Sequence, residues 1–107
     1  MLIDKVDYSI EITDDFNNEL FLFEMESKGY LTNTLLRIKN GNSYKLDFYD
    51  IVRLKQDAES ELLDGLPCFY QENLIIVDSL NKKKILNAIE FVWKNKTFLR
   101  MVKHTED

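Results

Sequence analysis

Residues 30–48 read YLTNTLLRIKNGNSYKLDF, and this stretch decides the fold. Two runs rich in aromatic and branched apolar side chains flank Asn40-Gly41-Asn42. Asn-Gly readily adopts the positive φ angles that a tight hairpin turn requires. The sequence therefore predicts an antiparallel β-hairpin, with one strand over Tyr30–Lys39 and the other over Ser43–Phe48.

The segment before the hairpin alternates twice between apolar and polar side chains. The first alternation predicts a strand whose buried face consists of Val6, Tyr8, Ile10 and Ile12. Thr13–Asn18 then has the Asp and Asn side chains of a turn. The second alternation, Leu20–Glu26, predicts another strand, because aromatic side chains are dense there and Gly29 follows. A helix is the competing interpretation of this segment, since its apolar residues also fit helical spacing from Phe16 onward.

A helix is predicted directly after the hairpin. Asp47 or Asp50 can accept hydrogen bonds from its first N–H groups, and Gly65 and Pro67 end it. We expect the helix to bury an apolar stripe formed by Ile51, Leu54, Ala58 and Leu62.

The rest of the chain predicts strand, then helix. Cys68–Tyr70 and Leu74–Val77 favour strand, and the unbroken apolar run of the second is typical of a central strand covered on both faces. A second helix is predicted to begin near Ser79 or Asn81 and to end at about Lys94. Its buried side consists of Ile85, Ala88, Ile89, Val92 and Trp93.

Beyond this helix, Phe98 and Leu99 are expected to pack under it, and His104–Asp107 to fray. The 107 residues amount to a single domain. The predicted fold class is α+β, with a mostly antiparallel sheet of about five or six strands and two helices packed on one face.

The composition argues against the common catalytic chemistries. Cys68 and His104 are single residues of their types, so the chain forms no internal disulfide and cannot build a zinc site alone. We expect Cys68 to be buried as a small apolar side chain. The isolated glycines form no phosphate-binding loop. The sequence thus predicts no catalytic residue, no cofactor and no metal.

The sequence also predicts a cytoplasmic protein. The first residues show neither the basic nor the apolar region of an export signal. The longest apolar runs, such as Leu20–Phe23, are far too short to span a bilayer, so no membrane contact is expected.

Charge is distributed in blocks along the chain. The net charge is -7 over residues 1–27, +4 over 28–46, -6 over 47–79 and +4 over 80–107. An acidic protein repels phosphate backbones, so direct nucleic-acid binding is not expected. The acidic blocks can steer a basic partner instead. A well-mixed, merely soluble surface is the alternative.

The acidic residues of the first predicted helix form a stripe beside its apolar residues. At 100° per residue, Asp50, Asp57, Glu61 and Asp64 fall within about 60° of one another. The stripe can be a solvated helix face, an acidic contact surface, or a metal or general-acid site. Tyr49 and Tyr70 lie next to acidic residues at the ends of elements, a composition common at protein interfaces.

Residues 48–65 (FYDIVRLKQDAESELLDG) and 73–98 (NLIIVDSLNKKKILNAIEFVWKNKTF) resemble small bacterial proteins of toxin–immunity loci. Among these are the immunity proteins of contact-dependent growth inhibition systems, and the similarity covers about residues 47–98. The resemblance implies a cytoplasmic, non-enzymatic protein that binds and blocks one cognate toxin domain, often a nuclease. It implies structural or interfacial roles for Phe48, Tyr49, Asp50 and Arg53.

The leading hypothesis is an immunity protein, a monomer that covers a basic nuclease toxin in a 1:1 complex. Acidic side chains would occupy the groups that otherwise bind RNA or DNA phosphates. The predicted partner-binding residues are Asp14, Asp15, Tyr49, Asp50, Asp57, Glu61, Asp64, Tyr70 and Glu72. The alternative is a small binding or regulatory module, for instance a phage or accessory protein that dimerises through a sheet edge. A small carboxylate-dependent enzyme is a third possibility, and the role of Lys82–Lys84 stays open.

Overall fold

The computed structural model describes residues 1–105 and has an α+β fold, as predicted. The strands of the described chain are β1 (Leu2–Asp4), β2 (Tyr8–Glu11), β3 (Tyr30–Ile38), β4 (Ser43–Asp50) and β5 (Leu74–Val77). The α-helices are α1 (Glu19–Lys28), α2 (Ile51–Leu63) and α3 (Lys82–Lys94). Short 3-10 helices cover Asp14–Asn17 and Thr97–Arg100.

The five strands form one sheet in the order β1-β2-β3-β4-β5. The first four pair antiparallel, and β5 joins β4 in parallel through the α2 crossover. The expectation that β5 is a central strand is therefore wrong, because it lies at the end of the sheet and leaves Ile76 51% exposed. The apolar run of β5 does not distinguish a central strand from an edge strand. A parallel strand that follows a crossover helix is apolar in either position.

The core lies on one face of the sheet, under α1 and α3. Tyr8, Ile10, Leu36, Leu46 and Phe48 project from the strands, and they meet helix residues such as Met25, Ile85 and Ile89. The predicted buried face of the last helix is confirmed, and so is that of the first alternating segment, except that Val6 precedes β2 and is 87% exposed. Phe16, in the first 3-10 helix, is fully buried and closes the end of this core.

The predicted strand over Leu20–Glu26 is wrong, because this segment belongs to α1. The Asn18 side chain accepts a hydrogen bond from the N–H of Phe21 at 3.1 Å, which caps the start of the helix. Gly29 ends it with φ +79°, the left-handed conformation typical of a helix C-terminus. The segment is apolar enough to fit either period, so the two caps decided the outcome.

The predicted hairpin is present as β3 and β4, but its turn differs in detail. Asn40 takes the positive φ, at 60°, whereas Gly41 is not among the residues with positive φ. The N–H of Gly41 donates to the carbonyl of Ile38 at 3.1 Å and closes the turn. The pairing shifts register between Leu31 and Thr34, where Asn33 has φ 64°.

The C-terminal segment is more ordered than predicted up to His104. Phe98 is buried as expected, but Leu99 is 67% exposed. His104 does not fray, because its N–H donates to the carbonyl of Ser43 at 2.8 Å. The rest of the predicted frayed segment, Glu106 and Asp107, lies outside the described residues.

The loop between α2 and β5 also departs from expectation. Cys68–Tyr70 is irregular rather than a strand, and Cys68 is exposed rather than buried. Pro67 precedes it and cannot donate to a sheet ladder, which works against a strand here. No helix in residues 1–105 is both long and apolar enough to cross a membrane.

Candidate protein-binding surface

Helix α2 packs against the sheet face opposite to the core. Tyr49 follows the buried Phe48 and pairs with Tyr30 of β3, so both tyrosine rings lie on this face, with their centroids 6.0 Å apart. The Arg53 guanidinium lies 4.8 Å from the centroid of the Tyr30 ring. Its Nε donates to Asp57 Oδ1 at 2.9 Å. These contacts hold the first half of α2 on the sheet.

Because Arg53 and Asp57 occupy this contact, the apolar stripe of α2 is only partly covered. The centre of this stripe lies roughly 120° round the helix axis from Arg53 and Asp57. Ile51 and Leu62 are 60% and 49% exposed, and no residue of α2 is fully buried. The expectation of a buried stripe is therefore wrong for both of its ends.

Three predicted partner-binding residues are already engaged within the chain. Asp50 caps α2, since its Oδ1 accepts from the N–H of Arg53 at 2.7 Å. Asp57 forms the ion pair with Arg53 described above. Tyr49 is only 8% exposed; burial raises the pKa of its hydroxyl, and a hydrogen bond with Gln71 opposes that rise. These residues support the fold of this face rather than an open surface.

The C-terminal end of α2 is different, because its acidic residues have no ion-pair partner within residues 1–105. Glu61 and Asp64 lie where the helix carries no basic residue in its last turn. Negative charge at a helix C-terminus is unfavourable, since the helix dipole is already negative there. Leu63, which lies roughly 160° round the helix from Glu61, is 87% exposed, and Leu66, in the loop after the helix, is 50% exposed. Neither the charges nor the leucines contribute to the core.

Tyr70 and Glu72 continue this surface along the loop before β5. Tyr70 is 73% exposed, and four residues of chain limit its distance from Leu66 to about 14 Å. We call the set Glu61, Leu63, Asp64, Leu66, Tyr70 and Glu72 the acidic tip. Apolar and aromatic side chains surrounded by polar ones are the usual composition of a protein interface.

A shallow cleft of about 360 Å³ adjoins the tip at Tyr70 and Glu72. Lys45, Asp47, Asn73 and His104 complete its lining. Asp47 is held from two sides: its Oδ2 accepts from Gln71 Nε2 at 2.8 Å and its Oδ1 from the N–H of Asn33 at 3.1 Å. The cleft is therefore a fixed, polar border of the tip.

The predicted acidic turn, Asp14 and Asp15, is not part of the acidic tip. Asp14 forms an ion pair with the N-terminal amino group of Met1 at 2.6 Å, which lowers the pKa of the carboxyl. The backbone N–H of Asp15 donates to Thr13 Oγ1. These contacts serve the first 3-10 helix, and among the described residues neither aspartate has a hydrogen bond or ion pair with α2.

In residues 1–105 no group of three or more His, Cys, Asp or Glu side chains is placed to hold a metal ion. Cys68 lies in the exposed loop after α2, whereas His104 lines the cleft and is bridged to β4.

Leu63 and Leu66, the two exposed leucines of the tip, were not predicted from the sequence. Their exposure could have been predicted. Leu63 falls outside the apolar stripe of α2 and Leu66 follows the helix, so neither leucine was expected to enter the core. The ion pair between Arg53 and Asp57 was predictable from the sequence, because residues four apart on a helix lie on one face.

The fold and this surface define a small α+β protein with an exposed apolar and acidic tip and, among its described residues, no side-chain cluster placed to hold a metal ion. The chain matches no family model, no curated protein and no solved structure. The kind of partner that the tip binds must therefore be inferred from the side chains of the tip.

Proposed function

We propose that this chain is a non-enzymatic immunity protein that binds and neutralises a cognate toxin domain, one toxin per chain. The observation that carries the proposal is the acidic tip, where the end of α2 and the loop after it present three exposed apolar side chains and three carboxylates that have no ion-pair partner within the described residues. Such a surface suits a basic partner with an apolar contact at its centre.

A nuclease is the toxin class that fits best. A nuclease must attract phosphate groups with Lys and Arg side chains, and Glu61, Asp64 and Glu72 can occupy the same cations. Leu63 and Leu66 would supply the desolvated contact that slows dissociation, whereas the carboxylates speed the encounter. Asp50 and Asp57, which are engaged within the chain, are no longer part of the proposed contact.

The test uses the product of the adjacent upstream reading frame, which the proposal expects to end in a small basic toxic domain. We expect the double variant Glu61→Lys/Asp64→Lys to bind it with an association rate at least roughly tenfold lower at low salt, and with a weaker dependence on salt. Leu63→Glu should abolish protection of cells that express the toxic domain. Glu24→Lys, an exposed acidic position on α1, is the matched control and should leave both properties unchanged. An unchanged association rate in the double variant would rule out the tip.

A second candidate function is a small binding or regulatory module that acts through contacts between proteins. One observation favours it: β5 ends the sheet of the described residues, and its Ile76 is 51% exposed.

A further inference from the structure

A cavity of about 390 Å³ lies between the β1–β2 hairpin and α3. Ile3, Tyr8 and Ile10 line it from the strands, and Leu86 and Trp93 line it from the helix. Its volume is within the range of about 300–1,000 Å³ that is usual for sites of small molecules. β1 and β5 are the opposite edges of the sheet, so the cavity and the loop of the acidic tip, which leads into β5, lie towards different edges. We call this space the hairpin cavity.

The wall of the hairpin cavity is apolar and held in place by the core. The Trp93 ring stacks on Phe98 with the centroids 5.7 Å apart, and the Tyr8 ring lies 5.2 Å from Trp93. Ile10 is fully buried, and Tyr8 is only 7% exposed. A wall that is already packed without a ligand loses little conformational entropy when a ligand binds.

One end of the cavity is polar and carries a net positive charge. Lys94 Nζ pairs with Glu90 Oε1 at 2.7 Å. This ion pair, with a smaller contribution from the Lys5 ammonium, lowers the pKa of the Glu90 carboxyl. Burial raises the pKa of the Tyr8 hydroxyl, and the charges of Glu90 and Lys94 also act on it. Two ammonium groups therefore meet one carboxylate beside the Tyr8 hydroxyl. Asp7 also lines the cavity but contributes to neither of these pKa values.

Two hydrogen-bond donors of this end have no partner within residues 1–105. The Lys5 ammonium forms no hydrogen bond or ion pair there, and only the backbone carbonyl of Lys5 is engaged, by Lys39 Nζ. The Tyr8 hydroxyl forms no hydrogen bond either, and it is not sealed off by protein atoms. Because so little of Tyr8 is exposed, we infer that its hydroxyl opens into the cavity. Both donors are available to an anion.

We propose that the hairpin cavity binds a small aromatic carboxylic acid. The ring of the acid would lie against Ile3, Leu86 and Trp93, and its carboxylate would accept hydrogen bonds from Lys5 Nζ and the Tyr8 hydroxyl. Hydrogen bonds from a charged donor to a carboxylate are strong and fix the orientation of a ligand. This binding site goes beyond the proposed function, uses none of the residues of the acidic tip and requires no reaction.

The chemistry of the cavity selects this class of ligand. A cation would face the ammonium groups of Lys5 and Lys94, whereas Glu90 is already neutralised by its ion pair. A purely apolar molecule would leave the two free donors facing a dry surface, which costs free energy. An aromatic ring is favoured over an aliphatic chain because ring edges and faces make additional contacts with Tyr8 and Trp93.

The binding test uses 3-phenylpropionate as the probe. Trp93 is the only tryptophan of the chain, so its fluorescence reports on the cavity. We expect a saturable change with a Kd of about 1 mM or lower, as befits a ligand of this size. The amide 3-phenylpropionamide has the same shape without the charge and should bind at least roughly tenfold more weakly. Absence of saturation with the acid, or equal Kd values for acid and amide, overturns the proposal.

The preference for a ring is tested with hexanoate, which keeps the carboxylate on an aliphatic chain. We expect hexanoate to bind more weakly than 3-phenylpropionate, because it lacks the aromatic contacts. An equal or lower Kd for hexanoate would overturn the choice of an aromatic acid.

The anchoring groups are tested by substitution. Lys5→Gln removes the charge and should raise the Kd of the acid at least roughly tenfold while leaving that of the amide unchanged. Tyr8→Phe keeps the ring and should raise the Kd of the acid roughly threefold or more. Lys83→Gln, an exposed lysine on α3 that does not line the cavity, is the matched control and should bind as the wild type does. Unchanged binding by Lys5→Gln, with an unchanged circular dichroism spectrum, contradicts the proposed anchor.

The position of the probe is tested by methyl NMR spectroscopy. Titration with 3-phenylpropionate should shift the methyl signals of Ile3, Ile10 and Leu86, and it should leave those of Leu20 and Leu63, which are exposed elsewhere, unchanged. Shifts at Leu20 or Leu63 without shifts at the cavity would mean that the acid binds outside it. This result leaves the acidic tip untouched, so the binding site and the immunity function stand or fall separately.

Discussion

Thr34 is the one fully buried polar residue of the described core, and its Oγ1 has no hydrogen-bond partner. A buried hydroxyl without a partner costs free energy because it loses its hydrogen bonds to water. We expect Thr34→Val to raise the free energy of unfolding by about 1 kcal/mol, measured by urea titration. Thr34→Ala, which leaves a cavity instead, should lower it. A Val variant less stable than the wild type would mean that the hydroxyl has a structural role.

Gly29 and Gly65 offer a matched pair of substitutions, since both have positive φ, at 79° and 96°. A Cβ on Gly29 would lie 2.5 Å from Asp50 Oδ2 and 2.9 Å from Arg53 Cβ, whereas a Cβ on Gly65 meets nothing within 4 Å. We therefore expect Gly65→Ala to cost about 1 kcal/mol from backbone strain alone. Gly29→Ala should cost at least about 2 kcal/mol, because it also displaces the cap of α2. Equal losses in urea titration would contradict this difference.

At the scale of the element, α1 shows how helix caps decide between the strand and the helix periodicity of apolar residues. Its apolar residues fit a strand and a helix equally well, and Asn18 and Gly29 make the difference. Asn18→Ala should lower the free energy of unfolding by about 1 kcal/mol, whereas Asn18→Ser, which keeps an acceptor, should lose much less. Thermal unfolding of both variants, followed by circular dichroism, checks the prediction. An alanine variant as stable as the serine variant would show that packing, not the cap, selects the helix.

Helix α2 carries negative charge at the end where its own dipole disfavours it. We expect Glu61→Gln/Asp64→Asn to raise the free energy of unfolding by about 0.5 kcal/mol, because the unfavourable charges are removed. The same variant should bind a basic partner more slowly, so stability and association would change in opposite directions. Urea titration and stopped-flow association measure the two effects. A loss of stability would mean that these carboxylates have partners in solution.

The pH dependence of the free energy of unfolding is a property of the whole molecule, since it depends on side chains from several elements. Burial raises the pKa of Tyr8 and of Tyr49 above the ordinary tyrosine value of 10.0. A raised folded-state pKa means that the unfolded chain loses the proton first as the pH rises. The stabilisation is therefore complete below about pH 10 and is lost as the pH rises from there through the folded-state values.

The corresponding experiment compares the wild type with Tyr8→Phe/Tyr49→Phe. Urea titrations at neutral pH and above pH 10 should show a smaller alkaline loss of stability in the double variant. On the acid side, ion pairs lower the pKa of Asp78 and Glu90, which are exposed. Their small contribution is present above the ordinary carboxylate pKa and is lost as the pH falls through the lowered values. An identical alkaline slope in both proteins would contradict the assignment to the tyrosines.

Much of the fold and a part of the site could be predicted without coordinates. The Asn40–Asn42 turn, the Asp50 cap and the apolar face of α3 are local patterns, so neighbouring residues suffice to specify them. The prediction of a strand in the segment that forms α1 was wrong because its apolar residues fit both the strand and the helix periodicity. Four of the six residues of the acidic tip, Glu61, Asp64, Tyr70 and Glu72, were named from the sequence, but Leu63 and Leu66 were not.

The sequence by itself determined the α+β class, the hairpin, the two later helices and the acidic character of α2, because period, caps and charge act over short distances along the chain. Only the tertiary structure decided that β5 ends the sheet, that Arg53 and Asp57 rather than the apolar stripe rest on Tyr30 and Tyr49, and that Leu63 and Leu66 stay in water. These outcomes depend on how far each element extends over its neighbours, and packing between segments distant in sequence sets that extent.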